Sequence, residues 1–107
     1  MIVVTAFADR DVAILGLGRS GLATALALDA GGARVHAWDD DAIRHEAAGA
    51  AGIPLADPAS LDWNRIAALV PSPGVPLTHP APHPVVARAL AAGVEIIGDI
   101  ELLARSR

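Results

Sequence analysis

The sequence contains no lysine, and all eight of its basic residues are arginine. Without lysine there is no phosphate-loop lysine, no Schiff base and no lysine general base, so catalysis on a phosphate group has to be supplied from elsewhere. Cysteine is also absent, which excludes a disulfide framework and thiolate chemistry. Aromatic residues make up only 3% of a chain that is 53% hydrophobic. Ala, Val, Leu and Ile must therefore fill the core, as buried parallel strands require. No apolar run approaches the ~18 residues of a membrane span, and residues 1–8 lack the basic start of a signal peptide. The net charge of -4, with no cluster of arginines, argues against a nucleic-acid or anionic-membrane partner. The expectation is a soluble cytoplasmic domain, and 107 residues suit one core of four or five strands.

What is present alternates between strand and helix patterns. Val12-Ala13-Ile14-Leu15 is a short apolar run between Asp11 and Gly16, which suits a central strand. Ser20 to Ala30 carries apolar residues at helical spacing and stops at Gly31-Gly32. Arg34 to Trp38 reads as a second strand. A helix from about Ala42 to Ala51 follows, with Asp41 or Asp40 as N-cap. Ile53-Pro54-Leu55 is read as a small edge strand, and Asp62 as the cap of a single turn carrying Trp63. Ile66 to Val70 is the third main strand, followed by a proline-rich loop from Pro71 to Pro82 that is long for a compact domain. His83-Pro84 opens another helix, closed by Gly93. Val94 to Ile97 is the last strand, and Asp99 caps a final helix from Ile100 to Ala104. No internal repeat interrupts this order. It predicts an α/β fold: a Rossmann-like, doubly wound parallel sheet of about five strands with helices on both faces.

Three of these strands run into loops of distinct chemical character. Parallel strands deliver their carboxyl ends to one sheet edge, where open α/β folds bind ligands. The first loop reads Gly16-Leu17-Gly18-Arg19-Ser20-Gly21. Gly16 permits a sharp turn, Gly18 a close approach of backbone to phosphate, and Gly21 tight packing of helix on strand. The backbone N–H groups at the start of the following helix then face an anion, and Arg19 adds a positive charge. The second loop begins Asp39-Asp40-Asp41. Asp39 lies where a dinucleotide fold places the acid that receives the adenosine ribose, with helix capping as the structural alternative. Three consecutive aspartates cannot all point one way, so no metal site is expected there. The third loop, Ser72-Pro73-Gly74, completes the expected crevice. His79 and His83 are four apart, but Pro80 and Pro82 disfavour a helix between them and leave a solvated loop rather than metal ligands. His36 and His45 read as packing or surface residues.

The three segments Gly16-Leu17-Gly18-Arg19-Ser20-Gly21, Ser72-Pro73-Gly74-Val75 and Ile97-Gly98-Asp99-Ile100-Glu101-Leu102, in that order, resemble the N-terminal domain of the Mur ligases. The likeness spans about Asp11 to Leu103 and is strongest to the branch that adds D-glutamate to UDP-MurNAc-L-Ala. It implies that this chain is a fragment binding the UDP part of that substrate, with no catalytic residue of its own and no activity in isolation. ATP, Mg2+ and D-glutamate would be handled by central and C-terminal domains outside it. Gly16, Gly18, Arg19, Ser20 and Gly21 would hold the diphosphate, Asp39 and Asp40 would contact the uridine, and Ser72 and Gly74 would close the other side. Some family members carry Thr-Arg after the acid where this chain has Asp40-Asp41, and Arg19 would then compensate. The glycine loop and Asp39 alone would also fit the NAD(P)-binding domain of a dehydrogenase, and the same fold serves non-enzymatic nucleotide sensors.

Overall fold

The computed structural model describes residues 3–73, 75 and 81–105. Among them, four strands form one parallel sheet: β1 (Asp11–Leu15), β2 (Arg34–Trp38), β3 (Ile66–Pro71) and β4 (Glu95–Ile96), in the spatial order β2-β1-β3-β4. The helices are α1 (Arg19–Ala30), α2 (Ile43–Ala50), α3 (Pro84–Ala91) and α4 (Asp99–Ala104), with a single 3-10 turn at Pro58–Ser60. The sheet is one strand short of the expected five. At Ile53-Pro54-Leu55 only Leu55 bridges to Ala37, because Pro54 can offer its carbonyl but has no N–H to extend a ladder.

Alternation along the strands divides the core into two layers. Val12 and Ile14 of β1, Val35 and Ala37 of β2, and Ala68 and Val70 of β3 face one side, where they pack with Ala25 and Leu28 of α1, Ala48 of α2 and Leu102 of α4. Ala13, Leu15 and Leu69 face the other side and meet Trp63 and the α3 residues Val86 and Ala89. Both faces are covered, which is why the strands read as near-continuous apolar runs. Leu28 is fully buried and contributes about 1.5–3 kcal/mol through its burial alone.

Local chemistry explains most element ends. Asp57 accepts from the Ala59 N–H and places Pro58 at the start of the 3-10 turn, whose Pro58 carbonyl then receives the Trp63 indole N–H at 3.1 Å. Asp62 Oδ1 accepts from the Asn64 N–H and forms the expected turn around Trp63. β3 runs one residue further than the apolar pattern indicates, through Pro71, and the Ser72 N–H continues the ladder to the Leu15 carbonyl. β4 is shorter than Val94 to Ile97, although the Ile97 N–H still reaches the Leu69 carbonyl at 3.0 Å. α2 begins at Ile43 rather than Ala42. Ala42 is already helical, and Asp41 acts two residues ahead by accepting the Ile43 N–H.

Chain order and space part company at one place. From β1 the chain steps outward to β2, then crosses back over β1 to β3. The loops after β1 and β3 therefore leave adjacent strands in opposite directions and open a crevice between them.

Candidate functional site

Gly16 leaves β1 with φ +101°, a conformation that side chains rarely adopt. Its missing Cβ also makes room for a neighbour: a Cβ there would lie 2.2 Å from the Ser72 Oγ. The first and third loops thus meet through a serine packed directly on a glycine. Gly21 closes the loop from behind, since a Cβ on it would fall 1.9 Å from the Gly16 carbonyl oxygen. These contacts hold the start of α1 against the end of β1. Gly18 is the N-cap of α1 and no side chain caps the helix, so its first-turn N–H groups remain open to an anion.

Asp39 is drawn inward rather than outward. Its side chain is only 12% exposed. Oδ2 accepts the Leu17 N–H and Oδ1 the Asp41 N–H, both at 2.7 Å. One carboxylate therefore ties the glycine loop to the end of β2 and shapes its own turn. Asp40 points to the rim, 66% exposed, and its Oδ2 pairs with His83 Nε2 at 2.5 Å. His83 is no solvated-loop residue. Its Nδ1 accepts the Val85 N–H as the N-cap of α3, so the neutral ring carries its proton on Nε2 and donates it to Asp40. Pro84 raises no conflict with this helix, because the first position needs no N–H.

Two residues join the site without having been anticipated. His45 tilts against Trp38, with ring centroids 4.4 Å apart, and places Nε2 2.7 Å from the Asp39 carbonyl. Arg44, in the first turn of α2, brings Nε to 4.0 Å from Asp39 Oδ2 and lays Nη1 over the glycine loop, 2.5 Å from where a Gly18 Cβ would be. The available signal was an arginine in a helix's first turn, where the macrodipole disfavours a cation. A cleft of about 290 Å3 results, lined by Gly16, Asp39, Asp40, Asp41, Arg44 and Ser72 among others. Asp40 and His83 also line a neighbouring hollow of about 490 Å3 beside Trp38.

The sequence matches curated ligases along essentially its whole length. It is 58% identical over 106 residues to the UDP-N-acetylmuramoylalanine--D-glutamate ligase of Phenylobacterium zucineum, covering 99% of this chain and 23% of that protein. The proteins of the same name from Rhizobium meliloti and Brucella abortus are 60% and 56% identical over 107 residues, again with 100% of this chain and 23% of theirs. The chain is homologous to the N-terminal part of these ligases. It spans about a quarter of the length of these curated relatives. No family model matches it. Among solved structures, shikimate dehydrogenase from Aquifex aeolicus superimposes with a TM-score of 0.67 at 16% identity, over 91% of this chain and 45% of that one. That likeness concerns the Rossmann-like fold.

Set against the Mur ligase expectation, the structure gathers Gly16, Gly18, Gly21, Asp39, Asp40 and Ser72 at one sheet edge. Ser20 lies in the first turn of α1, with its hydroxyl donated to Asp99 Oδ2 at 2.7 Å. This bond joins the glycine loop to the Gly98-Asp99-Ile100-Glu101-Leu102 segment, the motif at α4. Arg19 is exposed and makes no hydrogen bond or ion pair among the described residues. Gly74 and His79 lie outside the described residues, as does most of the loop between Pro73 and Ala81. His36 is a partly exposed residue of the edge strand β2, hydrogen-bonded through Nε2 to Asp11 Oδ1 at 2.9 Å, at the end of β1 remote from the cleft. Among the described residues no helix is long and apolar enough to cross a membrane.

Proposed function

We propose that this chain is the N-terminal domain of an ATP-dependent amide ligase of peptidoglycan-precursor synthesis, and that its cleft holds the UDP moiety of UDP-MurNAc-L-Ala while D-glutamate is added. The observation that carries the reading is the crevice between β1 and β3. Its glycine loop, Asp39 turn and Ser72 converge in a chain 54–60% identical to ligases of that name.

The residues divide the work of binding. Gly16 and Gly21 let the turn and the start of α1 pack closely, Gly18 lets the backbone approach the diphosphate, and the uncapped first turn of α1 directs its partial positive charge there. Asp39 keeps the loop in that shape through its bond to Leu17. Asp40, on the rim, is free to accept from ribose hydroxyls or the uracil N–H with the oxygen that His83 does not use. Ser72 supplies a hydroxyl on the opposite wall, and Gly74, outside the described residues, is assigned to the same ligand. ATP and Mg2+, which would activate the substrate carboxylate as an acyl phosphate for attack by the D-glutamate amine, would be held outside this chain. It contains no lysine, and among its described residues no three His, Asp or Glu side chains are grouped so that they could hold a metal ion. The isolated chain would then bind but not catalyse, and would act in the cytoplasm, where its nucleotide substrates are made. The dehydrogenase alternative rests on the glycine loop and Asp39 alone, whereas the identity to the ligases extends over essentially the whole chain.

Amide NMR shifts recorded during titration with UDP-MurNAc-L-Ala, and separately with NADH and NADPH, test the proposal. Saturable shifts at residues 16–21, 39–40 and 72–74 with the UDP-sugar alone are expected. Saturable shifts with a nicotinamide cofactor alone would overturn it.

A further inference from the structure

We propose that the guanidinium of Arg44 is the cation that clamps the diphosphate of the bound nucleotide, an assignment that rests on the nucleotide reading of this cleft. Where some family members carry Thr-Arg after the acid this chain has Asp40 and Asp41, and Arg19 is the substitute that sequence order suggests. Space selects a different residue. Arg44 lines the cleft and Arg19 does not.

Three observations support the assignment. First, Arg44 is placed against its local electrostatics, since the first turn of a helix favours acids, so helix stability does not account for it. Second, its Nη1 lies over Gly18 at a distance no Cβ would tolerate, directly above the loop whose N–H groups face the anion. Third, its one ion pair is a 4.0 Å approach of Nε to Asp39, whose oxygens already have closer partners at 2.7 Å. The two terminal nitrogens carry four N–H groups with no partner among the described residues. A planar fork of this kind matches two phosphate oxygens at once.

Charge makes such a cation necessary. Asp39, Asp40 and Asp41 all border the cleft, and a diphosphate entering beside three carboxylates would be repelled unless a positive group stood between them. Arg44 supplies such a group, beside Asp39 and over the glycine loop.

Calorimetric titration of the 107-residue chain with UDP and with uridine tests this, using Arg44→Gln, Arg44→Lys and Arg19→Gln. Arg44→Gln should weaken UDP about tenfold or more and leave uridine binding unchanged. Arg44→Lys should recover part of the loss, and Arg19→Gln should cost less than Arg44→Gln. Because Arg44 is half exposed, the variant should keep the amide dispersion of the unsubstituted chain. UDP affinity within about twofold of the unsubstituted chain in folded Arg44→Gln would overturn the inference while leaving the nucleotide reading intact. An equal loss for UDP and uridine would overturn it by moving Arg44 to the nucleoside. Failure of the unsubstituted chain to bind UDP would overturn both.

Discussion

Replacing Gly21 by alanine adds one methyl group and should cost the fold about 2 kcal/mol. The new Cβ would sit 1.9 Å from the Gly16 carbonyl oxygen and 2.9 Å from its carbonyl carbon, whereas comfortable contact between heavy atoms begins at about 3.5 Å. Both atoms belong to backbone, so no rotamer change relieves the clash. Either α1 moves away from β1 or the Gly16 turn is displaced from Ser72. Overpacking of this severity lies near the upper end of about 1–3 kcal/mol, offset by up to about 1 kcal/mol because alanine is the better helix former. The net loss corresponds to a Tm lower by roughly 10 °C for a domain of this size. Gly49→Ala is the matched control. Gly49 is also helical, and a Cβ there meets nothing within 4 Å, so the same chemical change should stabilise by about 0.5–1 kcal/mol. Its effect on the unfolded chain is common to both variants, so the difference of about 3 kcal/mol between them isolates the contact. Urea unfolding of the two proteins measures it. A Gly21→Ala protein as stable as Gly49→Ala would refute the claim that this glycine is required by the close approach of α1 to Gly16.

Two further outcomes follow from the hydrogen bonds. Arg34 chiefly, and His36 next, hold the Asp11 carboxyl down at about 2 from its usual 3.8. The native state therefore releases this proton more readily than the unfolded chain, and its stabilisation is complete above about pH 4 and lost as pH falls through about 2. With Arg34 more than half exposed, solvent screening reduces the contribution to about 1 kcal/mol. Asp11→Asn should destabilise by that amount at pH 7 and by almost nothing at pH 2, and an equal loss at both values in paired unfolding curves would contradict the charge-based account. Asp39→Asn leaves one acceptor oxygen where two backbone N–H groups converge. It should cost about 1–3 kcal/mol and shift the Leu17 and Asp41 amides most, whereas unchanged amides at both positions would show that the carboxylate does not organise the loop.

Much of this architecture is written in local pattern. The runs 12–15 and 66–70 are apolar enough for strands covered on both faces, 34–38 alternates as an edge strand does, and the glycines after α1 and α3 mark real helix ends. Asp62 and His83-Pro84 mark real starts, because capping is decided within a few residues of chain. Contacts between distant segments are another matter. Nothing in the order of residues places Ser72 on Gly16, Ser20 on Asp99 or His83 on Asp40, and nothing marks Val4 and Phe7 as core residues packed with α1. The position of Arg44 in the cleft is of the same kind. Nearness in sequence to the glycine loop favours Arg19, but helix α2 returns Arg44 across the end of β2 and over that loop. Local propensity selects elements and the edge to which their loops run, whereas the chemistry of the cleft depends on the sheet order β2-β1-β3-β4, which decides which side chains of those loops meet.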